Sequence, residues 1–275
     1  MARLFGFIGN QAELGPKVLQ AHAEDLRVKF ESPQALGWGV GFYQFGEVLL
    51  RRRHLEHTLE LDPGQMTSEV KAEVLLGHVR MPTVGNLRTE NTHPFRYREW
   101  LFAQIGTPAT FADIRAELLA RLPVFLRSNV RGDTDSEVMF HLVLSRLLEK
   151  GQLDMIHASA TETANSLREA LRQVNDICTV ASLPTYCGDI LLTNGERILA
   201  VHQSGQMAYR FVNDAEEVQQ YLAEGSARVP HASRIQCCVV ASEIDTLPER
   251  WVRVPNDSLV TLSPTEPPVV ESLAL

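Results

Sequence analysis

The sequence has few cysteines, no excess of basic charge and no apolar run long enough to cross a membrane. Its 26 lysine and arginine residues are outnumbered by 34 aspartate and glutamate residues, giving a net charge of −8 over 275 residues. This balance disfavours nucleic acid or an anionic membrane as a partner. The apolar runs fall far short of the roughly 20 residues of a membrane-spanning helix, and no charged-then-apolar leader precedes the first predicted strand. We therefore expect a cytoplasmic protein.

The cysteine pattern argues against disulfides and metal sites. The four cysteines form no Cys-x-x-Cys pair and have no zinc-finger spacing to histidine: Cys178, Cys187, Cys237 and Cys238. In a cytoplasmic chain this pattern favours buried, reduced thiols. Strand geometry would send the adjacent Cys237 and Cys238 to opposite faces. We expect no structural metal and no cofactor.

Strand-like segments at both ends of the chain enclose a helical block. Short apolar runs bounded by turn residues predict strands over 4–8, 37–43, 47–51, 74–80, 100–104, 178–183, 189–193, 197–202, 207–211 and 235–241, and a hairpin over 251–262. Apolar residues at helical spacing predict helices over 111–119, 136–148 and 162–174. Asn194-Gly195 predicts a hairpin turn. This order predicts one α+β domain over 1–263, followed by an extended tail over 264–275.

Two strand segments have unusual compositions. Glycine fills every second position of the segment 37–41, which leaves one face of the strand bare for another backbone or a ligand. The segment Arg51-Arg52-Arg53-His54 is a compact basic patch in an acidic chain. It fits a solvated edge strand that resists aggregation, and an anionic partner or ligand is the alternative.

Four polar clusters are candidates for chemistry, and each also has a structural explanation. Arg80, at a predicted strand end, suits bidentate capture of a carboxylate or a surface salt bridge. His93, in the loop 90–95, is either a hydrogen-bonding organiser of the loop or a catalyst. The segment 132–137 precedes a helix, with Thr134 or Asp133 as its N-cap. The fourth cluster, 240–243, fits a turn.

Taken together and in this order, the segments resemble the class II glutamine amidotransferases, which are N-terminal-nucleophile hydrolases. The match is closest to the stand-alone γ-glutamyl amidohydrolases and runs from about residue 2 to 263. It rests on Arg3-Leu4-Phe5-Gly6, Gly37-Trp38-Gly39-Val40-Gly41, His78-Val79-Arg80, Glu90-Asn91-Thr92-His93-Pro94-Phe95, Trp100-Leu101-Phe102-Ala103, Gly132-Asp133-Thr134-Asp135-Ser136-Glu137 and Val240-Ala241-Ser242-Glu243. The resemblance implies a four-layer αββα sandwich of two antiparallel sheets flanked by helices.

The resemblance also implies roles for individual residues. In this family a Cys follows the initiator Met; its thiolate attacks the glutamine amide, and its own α-amino group is the base. By similarity, Arg80 holds the α-carboxylate of the substrate and Asp135 its α-ammonium group. Thr83 and His93 line the pocket, and Gly39 lets the substrate lie close.

The sequence departs from the family at two catalytic positions. Position 2 is Ala, so no nucleophile follows Met1. Where the family has Phe-Ala-His-Asn-Gly, this chain has Phe102-Ala103-Gln104-Ile105-Gly106, so only the N–H of Gly106 remains as an oxyanion donor. In general, losing a nucleophile costs about 10⁶ in rate, and losing one oxyanion donor costs about 10²–10³.

Three interpretations follow from these losses. The favoured one is a protein without amidase activity that binds a glutamine-like or γ-glutamyl small molecule or regulates a protein partner. The alternative is a glutamine or γ-glutamyl amide hydrolase whose nucleophilic Cys at position 2 was replaced by Ala. In the third, only the sandwich is retained, as an assembly surface. We favour the first because a single replacement at Ala2 would not explain Ile105.

Overall fold

The computed structural model describes residues 2–81, 88–106, 111–155, 157–223 and 228–275. The strands in these ranges are β1 (Arg3–Gly9), β2 (Val28–Gln44), β3 (Glu47–Leu61), β4 (Val74–Arg80), β5 (Phe95–Tyr97), β6 (Trp100–Ile105), β7 (Asp189–Thr193), β8 (Ile198–His202), β9 (Ala208–Val212), β10 (Cys237–Ala241), β11 (Val252–Arg253), β12 (Ser258–Leu262) and β13 (Val269–Ser272). The helices are α1 (Leu14–Ala21), α2 (Ala23–Leu26), α3 (Pro63–Thr67), α4 (Phe111–Ala120), α5 (Val124–Arg127), α6 (Asp135–Glu149), α7 (Ala160–Val180) and α8 (Ala215–Leu222).

The strands form two antiparallel sheets. The first sheet has seven strands in the order β11-β9-β10-β1-β4-β2-β3. The second sheet has six strands in the order β13-β12-β8-β7-β6-β5. Each pair of neighbouring strands is antiparallel.

Three apolar cores separate four layers. Side chains of α1 and α8 pack on the outer face of the first sheet, and side chains of α4, α6 and α7 pack on the outer face of the second sheet. The third core fills the space between the sheets. In β1, Phe5 and Phe7 face the helices, whereas Leu4 and Ile8 face the second sheet. Because both faces of β1 are buried, the strand is an unbroken apolar run. The four-layer αββα sandwich is confirmed.

The cysteine side chains follow the same alternation. Cys237 lies in the core between the first sheet and its helices, and Cys238 lies in the core between the sheets. Cys178 is buried as expected, but Cys187 is exposed; all are free thiols.

Three predicted segments differ from the structure. The predicted hairpin over 251–262 is wrong, because β11 pairs with β9 in the first sheet, whereas β12 pairs with β8 and β13 in the second. The predicted strand over 178–183 is wrong, because α7 continues its apolar stripe through Ile177 and Cys178 and ends at Val180. The tail over 264–275 is extended, but it belongs to the second sheet: β13 pairs with β12, and Leu273 is fully buried. No helix within the described ranges has the length and apolarity needed to span a bilayer.

Candidate functional site

Strand ends from both sheets meet at one end of the sandwich. β4 ends there in the first sheet, and β6, which packs across from β4, ends there in the second. The position of Leu101 shows which way β6 runs. Leu101 lies against Gly41, where a Cβ atom would be 2.9 Å from its Cδ1 atom, and Gly41 pairs with Leu76 of β4, far from Arg80. Leu101 therefore stands at the far end of β6, and Ile105 lies on the side of Arg80.

Ala2 stands at this end beside Arg80. The β1–β4 register pairs Leu4 with His78, and two steps further it sets Ala2 opposite Arg80. By strand alternation Ala2 shares the face of Leu4, which points between the sheets. A half-buried methyl group thus occupies the position that the resemblance gives to a thiol.

Arg80 and Asp135 are buried and close enough for their charges to interact. Burial lowers the pKa of Arg80, and the carboxylate of Asp135 partly restores it. Asp135 is the first residue of α6, behind the N-cap Thr134. Burial raises the pKa of Asp135 to about 6, although hydrogen bonds from Ser136 and the charge of Arg80 act in the opposite direction. The structure thus brings together the two residues expected to bind the amino-acid end of a substrate.

Gln104 is a site residue that sequence reasoning missed. Its Nε2 atom donates to Oδ2 of Asp135 at 3.3 Å and to the carbonyl oxygen of Gly106 at 3.2 Å. In β6, Phe102 and Gln104 face the helices, whereas Ile105 faces the space between the sheets. The sequence signal that could have identified Gln104 is its position as a polar residue in the otherwise apolar segment 100–105.

The end of β6 offers no side-chain donor toward the first sheet. Ile105 packs its side chain against the core between the sheets. Gly106 has a positive φ of 95°, and a Cβ atom there would lie 2.8 Å from the carbonyl oxygen of Cys187. Glycine is therefore required at position 106 by both conformation and space.

The bare face of β2 receives the loop that carries Thr92 and His93. A Cβ atom on Gly39 would overlap the carbonyl oxygen of His93, and one on Gly37 would lie 3.3 Å from Oγ1 of Thr92. Another backbone therefore approaches Gly39 closely. The role of Gly39 in letting a substrate lie close stays a prediction.

His93 and His78 form a buried aromatic pair beside Arg80. Their ring centroids are 4.3 Å apart. Burial, followed by the charge of Arg80, lowers the pKa of His78 to about 3, and burial lowers the pKa of His93 well below its usual value. Neither ring nitrogen of His93 has a hydrogen-bond partner among the described residues. Thr83, the other predicted lining residue, lies outside them.

The basic patch divides into residues with different roles. β3 is an edge strand of the first sheet, as the edge interpretation requires. Arg52, however, donates to the carbonyl oxygens of Thr89 at 3.1 Å and Pro94 at 2.5 Å, and burial lowers its pKa to about 10. Arg53 is exposed. Arg52 therefore anchors the loop that carries His93.

The fourth cluster fixes the start of β1. The hydroxyl oxygen of Ser242 accepts from the N–H of Leu4 at 2.9 Å, and Arg3 donates to the carbonyl oxygen of Glu243 at 2.6 Å. The predicted turn is thus only partly right, because Val240 and Ala241 end β10 and Ser242 and Glu243 follow it. The segment positions the strand that follows Ala2. No group of three or more metal-ligating side chains occurs among the described residues.

Comparison with known proteins identifies the fold and the family. The model of the class II glutamine amidotransferases matches residues 1–271. An uncharacterized protein of Methanocaldococcus jannaschii is 28% identical over 127 residues, which are 43% of this chain and 32% of that protein. The match thus spans about a third of the length of that relative.

Solved structures agree over nearly the whole chain. A glutamine aminotransferase class-II domain protein from Silicibacter pomeroyi has a TM-score of 0.60 at 18% identity, covering 99% of this chain and 100% of that one. A predicted glutamine amidotransferase from Pseudomonas aeruginosa has a TM-score of 0.58 at 19% identity, covering 96% and 98%. Glutamine phosphoribosylpyrophosphate amidotransferase from B. subtilis has a TM-score of 0.56 at 14% identity, covering 99% of this chain but 49% of that one. These likenesses concern the fold. With a family match over almost its entire length, the chain belongs to the class II glutamine amidotransferases.

Proposed function

We propose that this chain binds a glutamine-like or γ-glutamyl small molecule without hydrolysing it, and that it acts as a ligand-binding or partner-regulating subunit. The observation that carries the proposal is the contrast at one end of the sandwich. Arg80 and Asp135 are retained as buried, interacting charges, whereas Ala2, opposite Arg80, offers no nucleophile. We place the chain near the stand-alone γ-glutamyl amidohydrolases and keep its cytoplasmic location as a prediction.

The retained charges suit an amino acid. A guanidinium group binds a carboxylate through two parallel hydrogen bonds, so Arg80 would take the α-carboxylate of the ligand. Asp135 would take the α-ammonium group, because its carboxyl is ionised above a pKa of about 6. The neutral imidazoles of His78 and His93 add no competing charge.

The missing groups explain why the ligand would stay intact. The methyl group of Ala2 forms no bond to the amide carbon, so no thioester arises. Ile105 presents a hydrocarbon side chain where a developing oxyanion needs a donor. Since both groups act on the same step, their losses need not multiply, but either one severely slows hydrolysis.

Thermal unfolding with and without millimolar L-glutamine tests the binding step. Ligand at about 100 times its dissociation constant stabilises a protein by about 2.7 kcal/mol, which raises the midpoint by roughly 5–10 °C for a domain of this size. We expect this shift in the unaltered chain and in Arg121→Ala, which removes an exposed arginine paired with Glu117. Arg80→Ala should abolish it. No shift in the folded, unaltered chain would contradict the proposal.

Ammonia release by Ala2→Cys separates a binding protein from a hydrolase that lost its nucleophile. Because Ile105 is also altered, we expect the variant to remain far slower than an intact amidase. Robust release of ammonia from L-glutamine would instead favour the alternative, an enzyme changed at position 2 alone. A folded, unaltered chain that L-glutamine does not stabilise would favour a scaffold without a working pocket, whereas a glutamine shift that survives both Arg80→Ala and Asp135→Ala would mean that glutamine binds elsewhere on the protein.

A further inference from the structure

A buried carboxylate–imidazole pair lies in the second sheet at the same end of the sandwich. Asp189 begins β7 and His202 ends β8, and their exposed fractions are 0% and 1%. Oδ1 of Asp189 lies 2.9 Å from Nδ1 of His202. The same oxygen accepts from the backbone N–H groups of Gln203 at 3.0 Å and Ser204 at 3.3 Å. Oδ1 of Asp189 therefore makes all three of these hydrogen bonds, and Oδ2 takes part in none of them.

The pair stands beside the end of β6. Ile105 pairs with Asp189 across β6 and β7. The β7–β8 register, which pairs Ile190 with Val201, continues to Asp189 and His202. The three side chains form a row on the face toward the first sheet, with neighbours about 5 Å apart. Since Ile105 is the residue that the family resemblance sets beside the scissile amide, the row flanks the amide end of a bound ligand.

Two polar atoms of the pair remain for a ligand, Oδ2 of Asp189 and Nε2 of His202. Because Oδ1 of Asp189 can only accept, the 2.9 Å contact assigns the hydrogen to Nδ1 of His202. In the neutral ring, Nε2 then presents a lone pair. Oδ2 of Asp189 is buried without a hydrogen-bond partner among the described residues. Leaving a buried carboxylate oxygen without a hydrogen-bond donor reduces stability, so a ligand that supplies an N–H donor here would be favoured.

The charges around Asp189 also favour a hydrogen-bond donor at this site. Within the described parts of the chain, the ion pairs give Asp189 no partner other than His202. Glu243 adds negative charge nearby: burial raises its pKa, and the charges of Asp189 and Asp245 raise it further. The potential here is negative, opposite in sign to the guanidinium of Arg80. A ligand with a carboxylate at one end and a donor nitrogen at the other satisfies both.

We infer that Asp189 and His202 form a subsite that selects ligands bearing an N–H donor at the side-chain end, such as a carboxamide or a γ-glutamyl amide, over ligands bearing a carboxylate. The inference rests on the proposed function, because Arg80 must hold the other end of the same ligand. L-glutamine offers an NH₂ group to Oδ2 of Asp189 and Nε2 of His202, whereas L-glutamate offers only acceptors and a repelling charge.

Calorimetric titration of the full chain at pH 8 with L-glutamine and L-glutamate tests the subsite. Asp189→Asn keeps Oδ1 for its three donors and replaces Oδ2 by an NH₂ group. We expect the unaltered chain to prefer glutamine by at least tenfold, the scale of one unpaired buried group. In Asp189→Asn, glutamine affinity should fall about tenfold and the preference should narrow. Asp176→Asn makes the same change at an exposed position of α7 and should leave the ratio unaltered.

His202→Asn is a second, independent variant, which serves also if Asp189→Asn does not fold. It keeps an N–H donor near the Nδ1 position, removes the acceptor at Nε2, and should also narrow the preference. Glutamine binding that depends on Arg80, with a preference unchanged in both variants, would overturn the subsite and leave the proposed function standing. Equal affinity of the unaltered chain for the two ligands would also overturn the subsite alone. Absence of glutamine binding in the unaltered chain would overturn both.

Discussion

The Nε2 atom of Gln104 lies 3.3 Å from the Oδ2 atom of Asp135. The contact joins the end of β6 to the first turn of α6, so the two elements meet through a hydrogen bond between buried polar groups. Gln104 is uncharged and therefore supplies a donor without neutralising the carboxylate. Asp135 can therefore still bind a ligand ammonium group when its carboxyl is ionised. Binding should then depend on the protonation state of Asp135.

Glutamine stabilisation should increase as pH rises from 5 to 7.5, with its midpoint near the pKa of Asp135, about 6. Burial raises this pKa, so below it the carboxyl is protonated and loses its attraction for the ligand ammonium group. His78 and His93 have lowered pKa values and stay neutral throughout. Midpoint shifts with L-glutamine at a series of pH values measure the effect. A profile that is flat, or equally steep in Asp135→Asn, would rule out Asp135 as the anchor.

The sandwich could be predicted from the sequence because its segments have distinct periodicities and turn signals. The alternation of β10 predicted opposite faces for Cys237 and Cys238, and the cores confirm it. The strand predicted over 178–183 is wrong because the preceding helix was predicted to end at residue 174, whereas α7 continues to Val180. A short apolar segment with β-branched residues at the end of a helix resembles a strand.

The site was only partly predictable, because it depends on contacts between distant segments. The resemblance selected Arg80 and Asp135, but not Gln104, whose role follows from the direction of its side chain. Alternate glycines in β2 showed that something approaches closely, yet sequence alone left open whether it was a ligand or a backbone. The structure shows the backbone of His93 against Gly39.

Gly39→Ala should destabilise the protein by about 3 kcal/mol, near the upper end for inserting a methyl group into a packed core. The added Cβ would overlap the carbonyl oxygen of His93, which belongs to a buried loop and has little room to move. Gly37→Ala is the matched control, since its Cβ would lie 3.3 Å from a hydroxyl oxygen, and we expect a smaller loss. Urea unfolding at pH 7 compares them. Equal effects would mean that the loop yields easily at Gly39.

Thr134→Ala should lower the free energy of unfolding by about 1 kcal/mol, the usual cost of removing an N-cap side chain. The hydroxyl oxygen of Thr134 accepts from the N–H of Glu137 at 3.3 Å, at the start of the helix that carries Asp135. Asp133→Ala is the control, because Asp133 is exposed and its backbone N–H keeps its bond to Asn91. Chemical denaturation distinguishes the two variants. A larger loss of stability in Asp133→Ala than in Thr134→Ala would contradict the assignment of Thr134 as the N-cap.

Ile105→Asn should accelerate glutamine hydrolysis by about 10²–10³ when it is combined with Ala2→Cys. Ile105 faces the space between the sheets, so an amide there directs an N–H donor toward the carbonyl oxygen of a ligand held by Arg80. Ile105→Asn alone should release no ammonia, because the donor stabilises a charge that forms only after a nucleophile attacks. Ile105→Val in the same Cys background keeps the surface apolar and should change little. Ammonia release measures all four proteins. If Ala2→Cys, Ile105→Asn is no faster than Ala2→Cys, then Ile105 does not stand at the oxyanion position, and the row through Asp189 and His202 loses its link to the ligand.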